Sequence, residues 1–160
     1  MAVFERSTRV RAPFEEVWDF HSDERGLVAL TPEWMHLVVE ETRGPDGDPN
    51  PEVLLEGSTV RSSVRPFGVG PRQAWTSRIV EREEGDGWAR FRDVMDDGPF
   101  ARWEHTHTFH AEGEDATVVH DRVEYDLPCG PVGRLANPLA YVGLEPVFRH
   151  RHRRTHELLE

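Results

Sequence analysis

The stretch PVGRLANPLAYVGLEPVFRHRHRRTHELLE, residues 131–160, decides the fold. Its hydrophobic spacing predicts one long helix over about 132–159, and Pro138 or Pro146 is expected to kink it. An apolar stripe on one face of this helix is predicted to pack on the core. The residues of the predicted stripe are Leu135, Leu139, Val142, Val147, Phe148, Thr155 and Leu158. A long helix that follows a series of strands is typical of a curved sheet that wraps around a helix and encloses a cavity.

The segments before this helix have the alternation and the turn signals of β-strands. Short connections between them favour an antiparallel meander. The order predicts an α+β fold in which a curved antiparallel sheet wraps the long C-terminal helix, with residues 1–160 forming one domain. The predicted elements are a strand at 3–10, short helices at 13–21 and 23–30, a strand at 36–41, a loop at 43–51 and strands at 58–66, 72–82, 87–96, 102–110 and 117–127.

The charge composition is unusual because all 19 basic residues are arginine, while 30 acidic residues leave a net charge of −11. A strongly acidic surface keeps a protein hydrated when salt screens charge repulsion, which is typical of proteins from salt-loving archaea. The same acidity argues against nucleic-acid binding, which requires a basic face. The one basic cluster lies in the last turns of the predicted helix, where cations offset the helix dipole. It consists of Arg149, Arg151, Arg153 and Arg154.

Cysteine usage and hydropathy indicate a cytoplasmic protein. Cys129 is the only cysteine, so no internal disulfide can form, as is usual in a reducing compartment. The sequence contains no apolar run long enough for a membrane span and no signal-peptide core at its start. We therefore expect a cytoplasmic location without stable membrane insertion. Dimerisation through a sheet edge stays open.

The two strands before the helix alternate cleanly between two faces. One face of the first carries His105 and His107, and one face of the second carries Asp121 among apolar residues. Paired residues in adjacent antiparallel strands point to the same side, so the turn EGED must place Asp121 opposite His105 or His107. An imidazole and a carboxylate are thus predicted to meet on the inner face of the sheet.

This predicted pair supports three hypotheses. In the first, which we favour, Asp121 orients a histidine that hydrogen-bonds a ligand or a backbone group. In the second, the oriented histidine is a general acid or base that acts on a bound substrate. In the third, His105, His107 and Asp121 form a metal site of two histidines and one carboxylate. The helix histidines His150, His152 and His156 are interpreted as solvent-exposed, because residues two apart do not face each other on a helix.

Aromatic residues on the predicted inner faces would line a cavity between the sheet and the helix. Trp18 and Trp34, near the short helices, are placed at its entrance. Arg6 and Asp93 also fall on inner faces, so we expect each charge to pair with the other, with a ligand or with solvent at the cavity mouth. The predicted ligand-binding residues are Trp75, Phe91, Trp103, His105, His107, Phe109, Asp121, Tyr125, Leu139 and Phe148.

Specific stretches also carry a resemblance to a known superfamily. They are VRAPFEEVWDF at 10–20, GPFARWEHTHTF at 98–109, VEYDLPCGPVGRL at 123–135 and VFRHRHRR at 147–154. Together they resemble the START-like, or SRPBCC, superfamily of polyketide cyclase and lipid-binding domains, and within it a branch of uncharacterised ligand-binding members. The element order is that of the helix-grip fold of this superfamily. One departure is His150, where tyrosine is expected in this branch.

The resemblance implies a hydrophobic ligand, such as a lipid, a quinone-like or a polyketide-like molecule, held between the sheet and the helix. It supplies no shared catalytic residue, and the sequence contains no glycine-rich phosphate loop and no GxSxG nucleophile elbow. Members of the superfamily rarely depend on a metal, so we expect no metal and no cofactor. The sequence therefore predicts a protein that binds or transports a hydrophobic small molecule. A cyclase or dehydratase that uses the histidine–aspartate pair is the alternative.

Overall fold

A computed structural model describes residues 1–160 as seven strands and three helices, with two short 3₁₀ turns. Each predicted strand and helix is present, with boundaries within three residues of those expected. The strands are β1 (Ala2–Val10), β2 (Val38–Arg43), β3 (Thr59–Val64), β4 (Gln73–Gly85), β5 (Trp88–Asp96), β6 (Arg102–Ala111) and β7 (Thr117–Asp126). The helices are α1 (Phe14–His21), α2 (Glu24–Leu30) and α3 (Gly130–Leu159), and the 3₁₀ turns are Glu33–Met35 and Pro66–Gly68.

All seven strands form one antiparallel sheet in the order β1-β7-β6-β5-β4-β3-β2. Strands β2 to β7 are neighbours in chain order because short turns join most of them. β1 and β2 occupy opposite edges of the sheet, so α1 and α2 form the connection from one edge to the other. This arrangement confirms the predicted α+β fold, with two short helices after the first strand and one long helix at the end.

The sheet-facing side of α3 is not the apolar stripe that the sequence pattern predicts. Phe148 and Thr155 of that stripe are buried, but they share the buried side with Asn137 and His152. Polar side chains can occupy a buried side when partners satisfy them, and hydrophobicity alone does not identify such residues. The prediction of an apolar stripe that faces the core is wrong at Leu135, Leu139, Val142 and Leu158, which are 84%, 75%, 70% and 43% exposed.

No helix of the protein combines the length and the apolar character that crossing a membrane requires.

Hydrogen bonds to the end of β7 fix the first half of α3. The Tyr125 hydroxyl donates to the carbonyl of Asn137 at 2.9 Å, and the Asn137 side chain accepts from the amide of Leu127 at 3.1 Å. Glycine is required at position 133 because a Cβ atom there would lie 2.0 Å from the carbonyl oxygen of Pro128. The start of α3 is therefore held closely against the sheet although its outer side is exposed.

Two apolar clusters fill the space between the sheet and the helices. The first joins α1 to the middle of the sheet, and the second joins α3 to β1 and β7. In the second cluster the rings of Phe148 and Phe4 lie 5.0 Å apart. Its buried members are Phe4, Val123, Tyr125 and Phe148, and those of the first are Val10, Ala12, Val17, Trp18, Ile79, Ala89, Phe91, Phe109 and Val119.

We expect Phe148→Ala to lower the free energy of unfolding by about 3–5 kcal/mol, because the lost ring leaves a cavity beside Phe4 and Tyr125. Leu135→Ala on the exposed side of the same helix is the matched control, and its effect should stay within about 0.5 kcal/mol. Urea unfolding followed by circular dichroism measures both. A control variant as unstable as Phe148→Ala would show that α3 is rotated from the orientation described.

Candidate functional site

Asp121 is the centre of a buried group of ionisable side chains. Burial alternates residue by residue along β7, and along β6 from His105 to Phe109. In the strand register Asp121 pairs with His107, and Asp93 of β5 pairs with His105. Because paired residues share a face, all four ionisable side chains point to the inside of the sheet. The predicted inner faces and the predicted pairing of Asp121 with a histidine are confirmed.

The Asp121 carboxylate contacts three imidazoles. Its Oδ1 lies 2.7 Å from His105 Nε2 and 3.2 Å from His107 Nδ1, and its Oδ2 lies 2.6 Å from His152 Nε2. His107 also reaches a second carboxylate, since its Nε2 lies 3.0 Å from Asp93 Oδ2. The side chains are between 4% and 13% exposed, so the whole group is largely removed from water. These five residues, Asp93, His105, His107, Asp121 and His152, are called the His–Asp cluster below.

His152 joins this cluster from α3, and the prediction that it is solvent-exposed is wrong, because the residue is 4% exposed. Histidines two residues apart on a helix do not face one another, but one of them can still complete a site formed by strands. A signal was present, since His152 lies four residues after Phe148 and three before Thr155, which places it on their side of the helix. His150 and His156 are half-buried at the surface of α3.

The members of the His–Asp cluster shift one another's pKa. Burial raises the pKa of Asp121, but hydrogen bonds from His105, His107 and His152 outweigh burial and hold this pKa well below its usual value. Burial lowers the pKa of His107, but its hydrogen bonds to Asp121 and Asp93 reverse the effect, and the pKa is raised. Burial and the charge of His107 lower the pKa of His105 to about 4. The cluster therefore favours an ionised Asp121 beside a protonated His107 and a neutral His105.

Aromatic rings enclose the two histidines of β6. Phe91 stacks on His107 with ring centroids 3.9 Å apart, and Phe148 meets His105 edge-on at 5.2 Å. The two imidazoles lie 3.6 Å from each other. Since Phe91 and Phe148 belong to different apolar clusters, the ionisable groups sit where the two clusters meet, in surroundings of low dielectric constant that strengthen their mutual interactions.

The ten predicted ligand-binding residues fall into three environments, and their role in binding stays a prediction. Trp75 and Trp103 are half-buried, and Trp75 Nε1 donates to the Ser77 hydroxyl at 3.1 Å. The predicted position of Leu139 is wrong, because its side chain lies on the outer side of α3 and does not face the sheet. The remaining seven are buried in the core or in the His–Asp cluster: Phe91, His105, His107, Phe109, Asp121, Tyr125 and Phe148.

The inner-face charges and the entrance tryptophan find other partners than expected. Arg6 does not pair with Asp93, because its Nη1 donates to Glu145 of α3 at 2.7 Å while Asp93 contacts the His107 imidazole. Trp18 does not lie at an entrance, since it is 4% exposed and belongs to the core. These buried and half-buried groups thus fix α3 and α1 to the sheet.

Two cavities open beside α2, and none of the ten predicted residues lines either of them. The smaller, of about 360 Å³, lies between α2 and β2. The larger, of about 1070 Å³, lies between α2, the turn Glu33–Met35 and the second half of α3, and is called the groove below. Trp34, predicted to lie at an entrance, is on its wall. The groove is lined by Val28, Ala29, Thr31, Pro32, Glu33, Trp34, Glu145, Pro146, Arg149, His150, Arg153 and Arg154.

The sheet order, the two short helices after β1 and the long last helix define the helix-grip fold of START-like proteins. The crystal structure of TTHA0849 from Thermus thermophilus is 25% identical over 96% of this chain and 97% of that chain, with a TM-score of 0.63. A START superfamily protein from Mycobacterium smegmatis is 15% identical over 98% of both chains, with a TM-score of 0.60. A norcoclaurine synthase mutant from Thalictrum flavum, solved with a transition-state analogue, is 14% identical over 99% and 93%, with a TM-score of 0.68. The predicted helix-grip fold and its likeness to START-like structures are confirmed.

The chain belongs to the family described as a domain of unknown function, DUF8410, whose model matches residues 8–159. The match begins inside β1 and ends with the last residue of α3, so it includes all residues of the His–Asp cluster and of the groove. No curated protein matches the sequence.

Lowering the pH from about 6.5 to about 4 is expected to destabilise the protein through His21. Its Nδ1 donates to the Val17 carbonyl at 2.8 Å, and burial lowers its pKa from 6.5 to about 4. Below pH 6.5 the unfolded chain takes up a proton that the folded chain does not, so stability falls and then levels off near pH 4. A shift of this size corresponds to at most roughly 3 kcal/mol.

The matched variant is His21→Asn, which keeps an N–H donor for Val17 but does not titrate. Urea unfolding at several pH values should give a shallower fall in stability for this variant than for the natural chain. His105 is shifted in the same direction, so part of the pH dependence is expected to remain. Equal slopes for the two proteins would contradict the assignment to His21.

Proposed function

We propose that the protein binds an amphipathic small molecule, with an apolar body and an anionic group, in the groove between α2 and α3. The observation that supports this is the combination of apolar and arginine side chains on the walls of one large groove. Its volume of about 1070 Å³ is at the upper end of the range of small-molecule sites. The proposed ligand belongs to a narrower class than the small molecule that the START-like fold implies. The proposed site lies beside the sheet-facing side of α3 and not between that side and the sheet.

The apolar part of the groove comes mainly from α2 and the turn that follows it. Val28 and Trp34 are 51% and 37% exposed there. The Trp34 ring stacks on Phe67 at 4.9 Å, so the indole is supported from the side by the turn between β3 and β4. A supported aromatic ring beside aliphatic residues suits the apolar body of a ligand.

The anionic preference is inferred from three arginines on one side of α3. Arg149, Arg153 and Arg154 line the groove, against two acidic residues, Glu33 and Glu145. Three arginines against two acids on the walls contrast with a chain whose net charge is −11. Arg149 lies 3.0 Å from Glu145, and Arg153 and Arg154 both contact Glu157, so a ligand anion would compete with these exposed pairs. Arginine forks bind carboxylate and phosphate groups through two parallel hydrogen bonds, which favours such a headgroup.

A second candidate function is acid–base catalysis by the His–Asp cluster. The distance of 2.7 Å between His105 Nε2 and Asp121 Oδ1 favours it, because this contact orients the imidazole as in enzymes that use an oriented histidine. The burial of both groups requires that a substrate enter from a more open state of the protein.

Binding in the groove is tested with dodecanoate and its neutral counterpart 1-dodecanol, by isothermal titration calorimetry and tryptophan fluorescence. Dodecanoate is expected to saturate one site and to bind more tightly than the alcohol. The double variant Arg149→Gln/Arg153→Gln should weaken dodecanoate binding by about tenfold or more, the loss expected for charge-assisted hydrogen bonds. Arg134→Gln, on an exposed part of the same helix outside the groove, should leave affinity unchanged. Absence of saturable binding, or equal dodecanoate affinities for the double variant and the natural chain, would contradict the proposal.

Access to the His–Asp cluster is tested with diethyl pyrocarbonate, which modifies neutral imidazoles that solvent can reach. If the cluster is catalytic, opening of the protein should allow His105 to be modified, more slowly than exposed His110 but measurably by peptide mass spectrometry. Modification of His110 with full protection of His105 and His107 would count against catalysis.

A further inference from the structure

Three residues of the His–Asp cluster converge as metal ligands do. One ligand atom from each of Asp93, His105 and His107 lies within 4.8 Å of the other two. The side chains are 13%, 8% and 6% exposed, and they project from the neighbouring strands β5 and β6, which are held by a continuous ladder of hydrogen bonds. Ligands on a rigid sheet can hold an ion with little rearrangement, since their positions are fixed before it arrives.

The hydrogen bonds inside the cluster leave suitable nitrogen atoms for an ion. His105 contacts Asp121 Oδ1 through Nε2, and His107 contacts the same oxygen through Nδ1. An imidazole that donates one ring N–H to a carboxylate presents the lone pair of its other nitrogen. An ion would replace the proton that His107 Nε2 directs to Asp93 Oδ2 at 3.0 Å, and His105 would offer Nδ1. Metal-binding histidines commonly donate their second nitrogen to a carboxylate in this way.

The charges of the cluster also accommodate a divalent cation. Asp93 and Asp121 are two carboxylates among apolar rings, and buried charges are costly unless they are compensated. A divalent ion with neutral imidazoles balances two carboxylates completely. His152 fixes Asp121 from the other side at 2.6 Å, so the carboxylate that orients both β6 histidines is itself held by α3.

We propose that Asp93, His105 and His107 bind a divalent transition-metal ion and that Asp121 is the positioning residue for both imidazoles. Two imidazoles and one carboxylate suit Zn²⁺, Co²⁺, Mn²⁺ or Fe²⁺ and leave further coordination positions for water or a ligand. The sequence-based hypothesis gave Asp121 the place of the third ligand, and the structure favours Asp93 because Asp121 is occupied by three imidazoles. The site is separate from the groove, so neither proposal depends on the other.

The test uses tag-free protein treated with EDTA, dialysed and titrated with Co²⁺. The expected result is one equivalent bound, with d–d absorption bands in the visible region that Zn²⁺ abolishes by displacement. Asp93→Asn should weaken binding by about tenfold or more, and Asp121→Asn by about 10–100-fold, as found for residues that orient metal ligands. Asp96→Asn is the matched control, because Asp96 lies on the same strand but pairs with Arg78 on the exposed face, and its variant should bind like the natural chain.

A measurement on the unmutated protein covers the case in which a variant fails to fold. Zn²⁺ is added to ¹⁵N-labelled protein, and the imidazole nitrogen signals are followed by long-range ¹H–¹⁵N correlation. Signals of His105 and His107 should move with the first equivalent while those of exposed His110 stay in place. Absence of Co²⁺ bands, unchanged His105 and His107 signals, or equal binding by folded Asp93→Asn would overturn the proposal and assign any bound ion to surface carboxylates.

Discussion

One buried carboxylate, that of Asp121, holds the sheet and the terminal helix in their relative positions. Its two oxygens contact imidazoles from β6 on one side and from α3 on the other. A carboxylate removed from water must find partners, because an unpaired buried charge costs far more than an apolar contact supplies. The rotation of α3 about its own axis is therefore set by the need to bring His152 to Asp121, and the apolar residues Leu135, Leu139 and Val142 are left on the outside.

The same rotation produces the groove. With His152 and Phe148 turned toward the sheet, Pro146, Arg149 and Arg153 are carried to the side that faces α2. The salt bridge between Arg6 and Glu145, at 2.7 Å, holds the helix at the level where the groove begins. The two proposed sites therefore occupy different sides of one helix, and a residue that fixes the helix on the sheet side also determines the shape of the groove.

The sequence predicted features that depend on period and connection length. Strand alternation placed His105, His107 and Asp121 on one face, and a short turn forced Asp121 opposite one of them. Helical spacing from Phe148 and Thr155 was a signal that places His152 on the buried side, but hydrophobicity gives no reason to bury a histidine unless the carboxylate on another element is already known. The groove was missed for a similar reason, since α2, Glu33–Met35 and α3 are far apart in sequence. Asp93 was expected to need a partner, but its contact with His107 depends on side-chain geometry that pairing alone does not fix.

The position of the His–Asp cluster bears on whether it stabilises the fold or serves another purpose. Buried ion networks are weak sources of stability, because apolar side chains of similar volume are often as stable or more stable in their place. The two apolar clusters meet at this point, and apolar side chains in place of the ionisable ones would join them into one core. Five ionisable residues stand there instead, from four separate elements, and each requires the others to be correctly oriented. Packing alone does not require such an arrangement, and the proposals of a bound ion or of proton transfer each give these groups a role. The interior cluster and the groove outside α3 therefore differ in chemistry: buried ionisable groups meet in the first, and apolar side chains lie beside arginines in the second.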